Sequence, residues 1–133
     1  MNVIELKKMI YAFLKTKTER VFPEMAPPNT TYPFITYGLS TSFTDPNQHM
    51  EIFTLEVDIW DNKPLDTTAL ETLTGTVDGD GAMTAASGLH RKHYYVSGTL
   101  RTDVYRDTRL EIDDPDPAIR RRQLRYTIYT YLQ

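Results

Sequence analysis

MEIFTLEVDIWD, residues 50–61, is the stretch whose reading decides the fold. Phe53, Leu55, Val57 and Ile59 alternate with Thr54, Glu56, Asp58 and Trp60. A period of two sends successive side chains to opposite faces of a strand. The first set is expected against a core, the second towards solvent or a partner. A long strand with one apolar face needs neighbours to pair with and an element to cover that face.

The flanking sequence supplies both. Residues 34–43 (FITYGLSTSF) alternate Ile35, Tyr37 and Leu39 and read as a strand, joined to the first by a polar turn or loop at 44–49 (TDPNQH). Residues 90–101 and 103–112 read as further strands, with Gly98 marking a bulge or close approach. DDPDP, residues 113–117, makes a rigid acidic turn into a final strand over 119–132, with Leu124, Tyr126, Ile128 and Leu132 on one face. A hairpin across that turn is the natural pairing.

Cover comes from two helices. Residues 2–16 carry Val3, Leu6, Ile10, Phe13 and Leu14 at helical spacing, with Asn2 as a cap. Residues 66–78 carry a narrow stripe of Leu70, Leu73 and Val77. Asp66 suits the N-cap, Leu65 and Leu70 suit a hydrophobic staple, and Gly79 or Gly81 ends the helix. Four prolines in residues 22–33 predict an extended connection, and 82–88 predicts a loop. The expected architecture is α+β, a largely antiparallel sheet with two helices packed on one face, in a single domain over 1–133.

Composition narrows the chemistry. The absence of cysteine removes disulfides, thiolate metal sites and thiol nucleophiles together. No apolar run approaches the roughly 20 residues that span a bilayer. The N-terminal apolar residues are interrupted by Glu5, Lys7 and Lys8, with no small-residue cleavage site after them, and read as a structural helix and not an export signal. A net charge of −3 gives no overall drive towards nucleic acid.

Local constellations are weak as catalytic signals. Glu56 and Asp58 leave one strand face roughly 7 Å apart, a spacing suited to acid–base work or a cation, but no third ligand or base is signalled and a solvated face explains them. Asp78-Gly79-Asp80-Gly81 lacks the later oxygen ligands of a calcium loop, with Ala82 and Leu89 where ligands belong. His90 and His93, three apart on a strand, point to opposite faces, which is wrong for joint metal binding. No nucleophile elbow or phosphate-binding glycine loop is present. No cofactor is expected, and the chain reads as a non-enzyme.

The concentrated basic feature is Arg120, Arg121, Arg122 and Arg125. It suits phosphate contact, with Tyr126, Tyr129 and Tyr131 as stacking surfaces. The favoured readings are local balance by Glu111, Asp113, Asp114 and Asp116, or pairing across a protein interface. Alternation puts Arg120 and Arg122 on the side of Leu124 and Arg121 and Arg125 on the other. A split run weakens a single nucleic-acid patch. A small nucleic-acid-binding module on this strand is the alternative reading.

The order of these features has a precedent. An N-terminal helix leads to Val21-Phe22-Pro23 and a proline-rich stretch, then Tyr32-Pro33-Phe34-Ile35 enters a strand. Leu55-Glu56-Val57-Asp58-Ile59-Trp60-Asp61 follows, then a helix, then Asp114-Pro115-Asp116-Pro117 and Arg120-Arg121-Arg122-Gln123-Leu124-Arg125-Tyr126. Across nearly the whole chain this resembles the tail completion proteins of long-tailed bacteriophages, also called tail terminators or tail-to-head joining proteins. The resemblance implies a virion protein at the head–tail junction, present in the host cytoplasm during assembly. It implies a hexameric ring on the tail tube, with the major tail tube protein and the head connector as partners, no membrane and no specific nucleic-acid binding. It implies no catalytic residues. It makes Asp45, Asn47 and His49 of the 44–49 loop, with Asp114, Asp116, Arg120, Arg121, Arg122 and Arg125, candidates for interface contacts. A ring contact weak in free subunits and strengthened on a template predicts a monomer or weak oligomer in isolation.

Overall fold

The computed structural model describes residues 3–44, 50–79, 88–96 and 100–131. Helix α1 covers Val3–Lys15. Strands β1 (Val21–Pro23), β2 (Phe34–Thr44) and β3 (Met50–Asp61) follow, then helix α2 (Thr68–Asp78). Strands β4 (Lys92–Val96), β5 (Leu100–Asp113) and β6 (Arg120–Tyr131) complete the order. The strands form one sheet in the order β1-β2-β3-β6-β5-β4.

The expected α+β class broadly fits, but the expectation of a largely antiparallel sheet is corrected here. The sheet is mixed and curled, and strand outweighs helix, 48% against 22%. The parallel element is β1, which runs alongside β2 with Val21 opposite Ile35. Its residues lie at the edge of the span expected to be a mere connection. Arg20 O accepts from Ile35 N at 2.9 Å and Tyr37 O accepts from Glu24 N at 2.7 Å, so pairing with β2 creates the strand. The proline-rich segment then loops back to enter β2 in the same direction. Pro23 costs no ladder bond because β1 is an edge. A three-residue strand carries no periodicity, so only this long-range pairing reveals it.

The core forms where alternation predicted it. Phe53, Leu55, Val57 and Ile59 are buried, and the register sets Leu55 opposite both Leu39 and Tyr126, and Val57 opposite Tyr37 and Leu124. Leu6, Met9, Ile10 and Leu14 of α1 and Leu70, Leu73 and Val77 of α2 join the same cluster. Both helices therefore cover one face. Among the described residues no helix covers the other face of β3 and β6, with Glu56, Asp58, Trp60, Arg121, Gln123 and Arg125.

Three local expectations also change. Helix α2 begins at Thr68 with Thr67 as its cap residue, and Asp66 instead accepts the Thr68 N–H in a tight turn. The Thr68 hydroxyl first, and its backbone N–H second, hold the Asp66 carboxyl below its ordinary range. Leu65 is fully exposed, so no staple forms. His90 lies in a turn before β4, and β5 begins at Leu100, inside the span expected for the preceding strand. Gly79, at φ 82°, ends α2 as expected. Asn2, Asp80, Gly81, residues 82–87 and Gly98 lie outside the described residues.

Candidate functional site

Strand β6 is central in the sheet, so each arginine on it meets neighbours from β3, β5 or α2. On the helix-covered face, Arg122 is buried and donates from Nε to Glu71 of α2 at 2.7 Å, with Glu111 at 3.6 Å. Glu71 also pairs with Arg109 of β5, so one carboxylate ties α2 to two strands. Arg120 turns back at the strand end, donating to the carbonyls of Pro117 and Ile119 at 2.9 and 3.2 Å.

On the open face the pattern is a ladder. Asp58 accepts from Arg121 Nε at 2.9 Å and from Gln123 Nε2 at 3.1 Å. Gln123 Oε1 in turn accepts from Arg125 Nε at 3.1 Å, and Glu56 lies 3.4 Å from the same nitrogen. The Glu56–Asp58 pair is thus matched to two arginines across the strand boundary. The expected charge balance exists, but its partners differ. Of the four acidic residues near the turn, Glu111 alone meets an arginine of the run among the described residues. The working partners Glu71 and Asp58 lie 51 and 63 residues away in sequence. No local pattern announces them.

An aromatic cluster closes one end of this face. Phe34 stacks on Trp60 with ring centres 6.0 Å apart, and the Arg121 guanidinium sits 4.7 Å above Trp60. Such a contact adds roughly 0.5–1 kcal/mol at exposed sites. Trp60 Nε1 donates to Thr36 at 3.1 Å, so the ring is held by both its face and its edge. The proline-rich segment beside it leaves a cleft of about 460 Å³ over Phe34, Thr36 and Trp60.

A second constellation was not foreseen. The carboxylate of Asp78, at the end of α2, is buried, accepts from the Tyr126 hydroxyl at 2.8 Å and pairs with Arg106. Burial, the Asp78 charge and the hydrogen bond to it raise the Tyr126 phenol far above its ordinary range. The chain then returns along the helix end, with Leu89 N donating to Val77 O and His90 N to Asp78 O. Gly88 permits this approach, because a Cβ there would lie 2.1 Å from Gly79 N. Arg91 adopts a left-handed φ of 65°, turning the chain into β4.

That turn changes the histidine geometry. His90 and His93 line one cavity of about 500 Å³ with Arg91, Tyr105 and Arg106, whereas a continuous strand would separate them. His90 Nδ1 accepts from Arg106 N at 2.9 Å, and His93 Nδ1 pairs with Asp103. Among the described residues no group of three or more metal-ligating side chains is placed to hold an ion.

The 113–117 turn is built by its own acids. Asp114 Oδ1 accepts from Asp116 N and Asp116 Oδ1 from Ala118 N, both at 2.9 Å. Asp114 and Asp116 thus sit at the end of the β5–β6 hairpin, and among the described residues neither pairs with an arginine of β6. Asp45, Asn47 and His49 lie outside the described residues.

No protein-family model matches the chain, and a search of curated proteins finds no match. Among solved structures, the fold is similar to a chain in the "Virion of native gene transfer agent (GTA) particle". The TM-score is 0.58 at 8% sequence identity, over 92% of this chain and 91% of that one. At that identity the likeness is one of fold, covering both chains nearly end to end.

Proposed function

We propose that this chain is a structural virion protein that caps the end of a phage tail tube as an oligomeric ring and joins the tail to the filled head. The observation that carries the reading is the near-complete fold likeness to a chain of a gene transfer agent virion. The ordered sequence resemblance to tail completion proteins points the same way from different data. The mechanism is geometric. Copies meet head to tail and close into a ring, one side of the ring stops tube growth, and the other receives the connector. The role requires no catalysis. Glu56 and Asp58, the pair best spaced for acid–base work, are each engaged by an arginine.

Reconstitution tests the reading. Purified protein added to filled heads and to tails made without it should restore infectivity. Folded protein that leaves heads and tails unjoined would sink the proposal.

A further inference from the structure

We propose that the acidic 113–117 turn of one copy seats in the cavity lined by His90, Arg91, His93, Tyr105 and Arg106 of the next copy. The inference rests on the reading that copies associate head to tail, and it names the contact.

The cavity offers a cation in need of an anion. Arg106 is committed to Asp78 and His93 to Asp103. His90 is held by the Arg106 N–H. Among the described residues Arg91 has no carboxylate partner, and it is exposed and lines the cavity. The turn offers the converse. Among the described residues Asp113, Asp114 and Asp116 meet no cation. Asp114 and Asp116 each spend Oδ1 on a backbone N–H, which fixes the carboxylate and leaves Oδ2 for a partner. Pro115 and Pro117 stiffen the turn, so little chain entropy is lost when it docks.

Geometry forbids the contact within one chain. Tyr105 and Arg106 lie on β5 about 25 Å from Asp113 along the same strand. The two charged features are therefore too far apart to meet within one copy, and they complement each other between copies. Such a contact uses different surfaces on the two partners, so it propagates or closes into a ring. One exposed charge contact is weak, and repetition around a ring multiplies it. An acidic turn fits better than a nucleic-acid backbone, because Asp78 already offsets Arg106 and leaves Arg91 as the one guanidinium of the cavity without a carboxylate among the described residues, too few for a run of phosphates.

The cysteine-free chain makes the test direct. Arg91→Cys and Asp116→Cys proteins are mixed and treated with a short bis-maleimide, since an arginine–carboxylate pair holds its Cα atoms further apart than a disulfide spans. A cross-linked heterodimer is expected, and a ladder of oligomers from the double variant. Arg91→Cys mixed with Lys63→Cys is the control. In sedimentation at low salt, Arg91→Asp or Asp116→Arg should each lower the association constant about fivefold, and the double reversal should restore it. Cross-linking no better than the control overturns the proposal, as does a double reversal that restores nothing. DNA-oligonucleotide binding lost in Arg91→Asp would also overturn it, making the cavity a phosphate site. Joining activity of the unaltered protein is scored separately. Cross-linking without joining removes the virion role and keeps the contact, and joining without cross-linking does the reverse.

Discussion

The two faces of β6 carry the same kinds of residue and put them to opposite uses. Beneath α2, Arg122 is buried against Glu71, and Tyr126 is buried against Asp78. On the open face, Arg125 pairs with Glu56 beside water and Arg121 pairs with Asp58 nearer the sheet, with buried Gln123 hydrogen-bonded to both Asp58 and Arg125. In the first setting a polar group without its partner carries the full desolvation cost. In the second, water takes the partner's place and the pair contributes little. The covered arginine fastens a helix, and the open ones pair with carboxylates of the neighbouring strand.

The largest test of that contrast is apolar. Leu124→Ala, beneath the helices, should cost about 2–5 kcal/mol in urea unfolding. A loss under about 1 kcal/mol would mean that this face is not the core. Next is the buried phenol. Tyr126→Phe should cost about 1–3 kcal/mol by leaving Asp78 with fewer partners. It should also flatten the alkaline loss of stability. Folding raises the Tyr126 pKa above the usual 10.0, so its contribution is present below pH 10 and is lost as pH rises, by up to about 1.4 kcal/mol per unit. Tyr37 shifts in the same direction, and burial lowers Lys92, which opposes both only up to its ordinary value of 10.5. Urea midpoints between pH 10.5 and 11.5 therefore isolate the tyrosines. The smallest effect compares the two carboxylates. Glu71→Ala should cost about 1 kcal/mol, and Glu56→Ala a few tenths, about the limit of measurement. Equal costs would erase the distinction between the faces.

Much of the covered face was legible in the sequence because its signals are local. Alternation in β3, helical spacing in α1 and the DDPDP hairpin each lie within a dozen or so residues. The split of the arginine run between faces followed from the same alternation. What escaped prediction depends on distant neighbours. Strand β1 exists by pairing with β2, and it makes the sheet mixed. The start of α2 was misplaced because Asp66 spends its carboxylate on a turn and Leu65 finds nothing to pack on. His90 and His93 share a cavity because Arg91 breaks the strand geometry between them. The arginine partners Glu71 and Asp58 come from elements dozens of residues upstream, where composition near the run gave no hint of them.

The position of β6 has a consequence for how the protein is made. It follows every other described strand in chain order, yet it lies in the interior of the sheet between β3 and β5. A ribosome therefore delivers two long strands before the one that separates them. Until β6 arrives, β3 and β5 each expose an unpaired edge, and the arginine partners Glu71, Asp58 and Glu56 have no counter-charge on β6. Such edges invite pairing with other nascent chains. Synthesis, and not the finished fold, is the stage at which this protein is most exposed to aggregation.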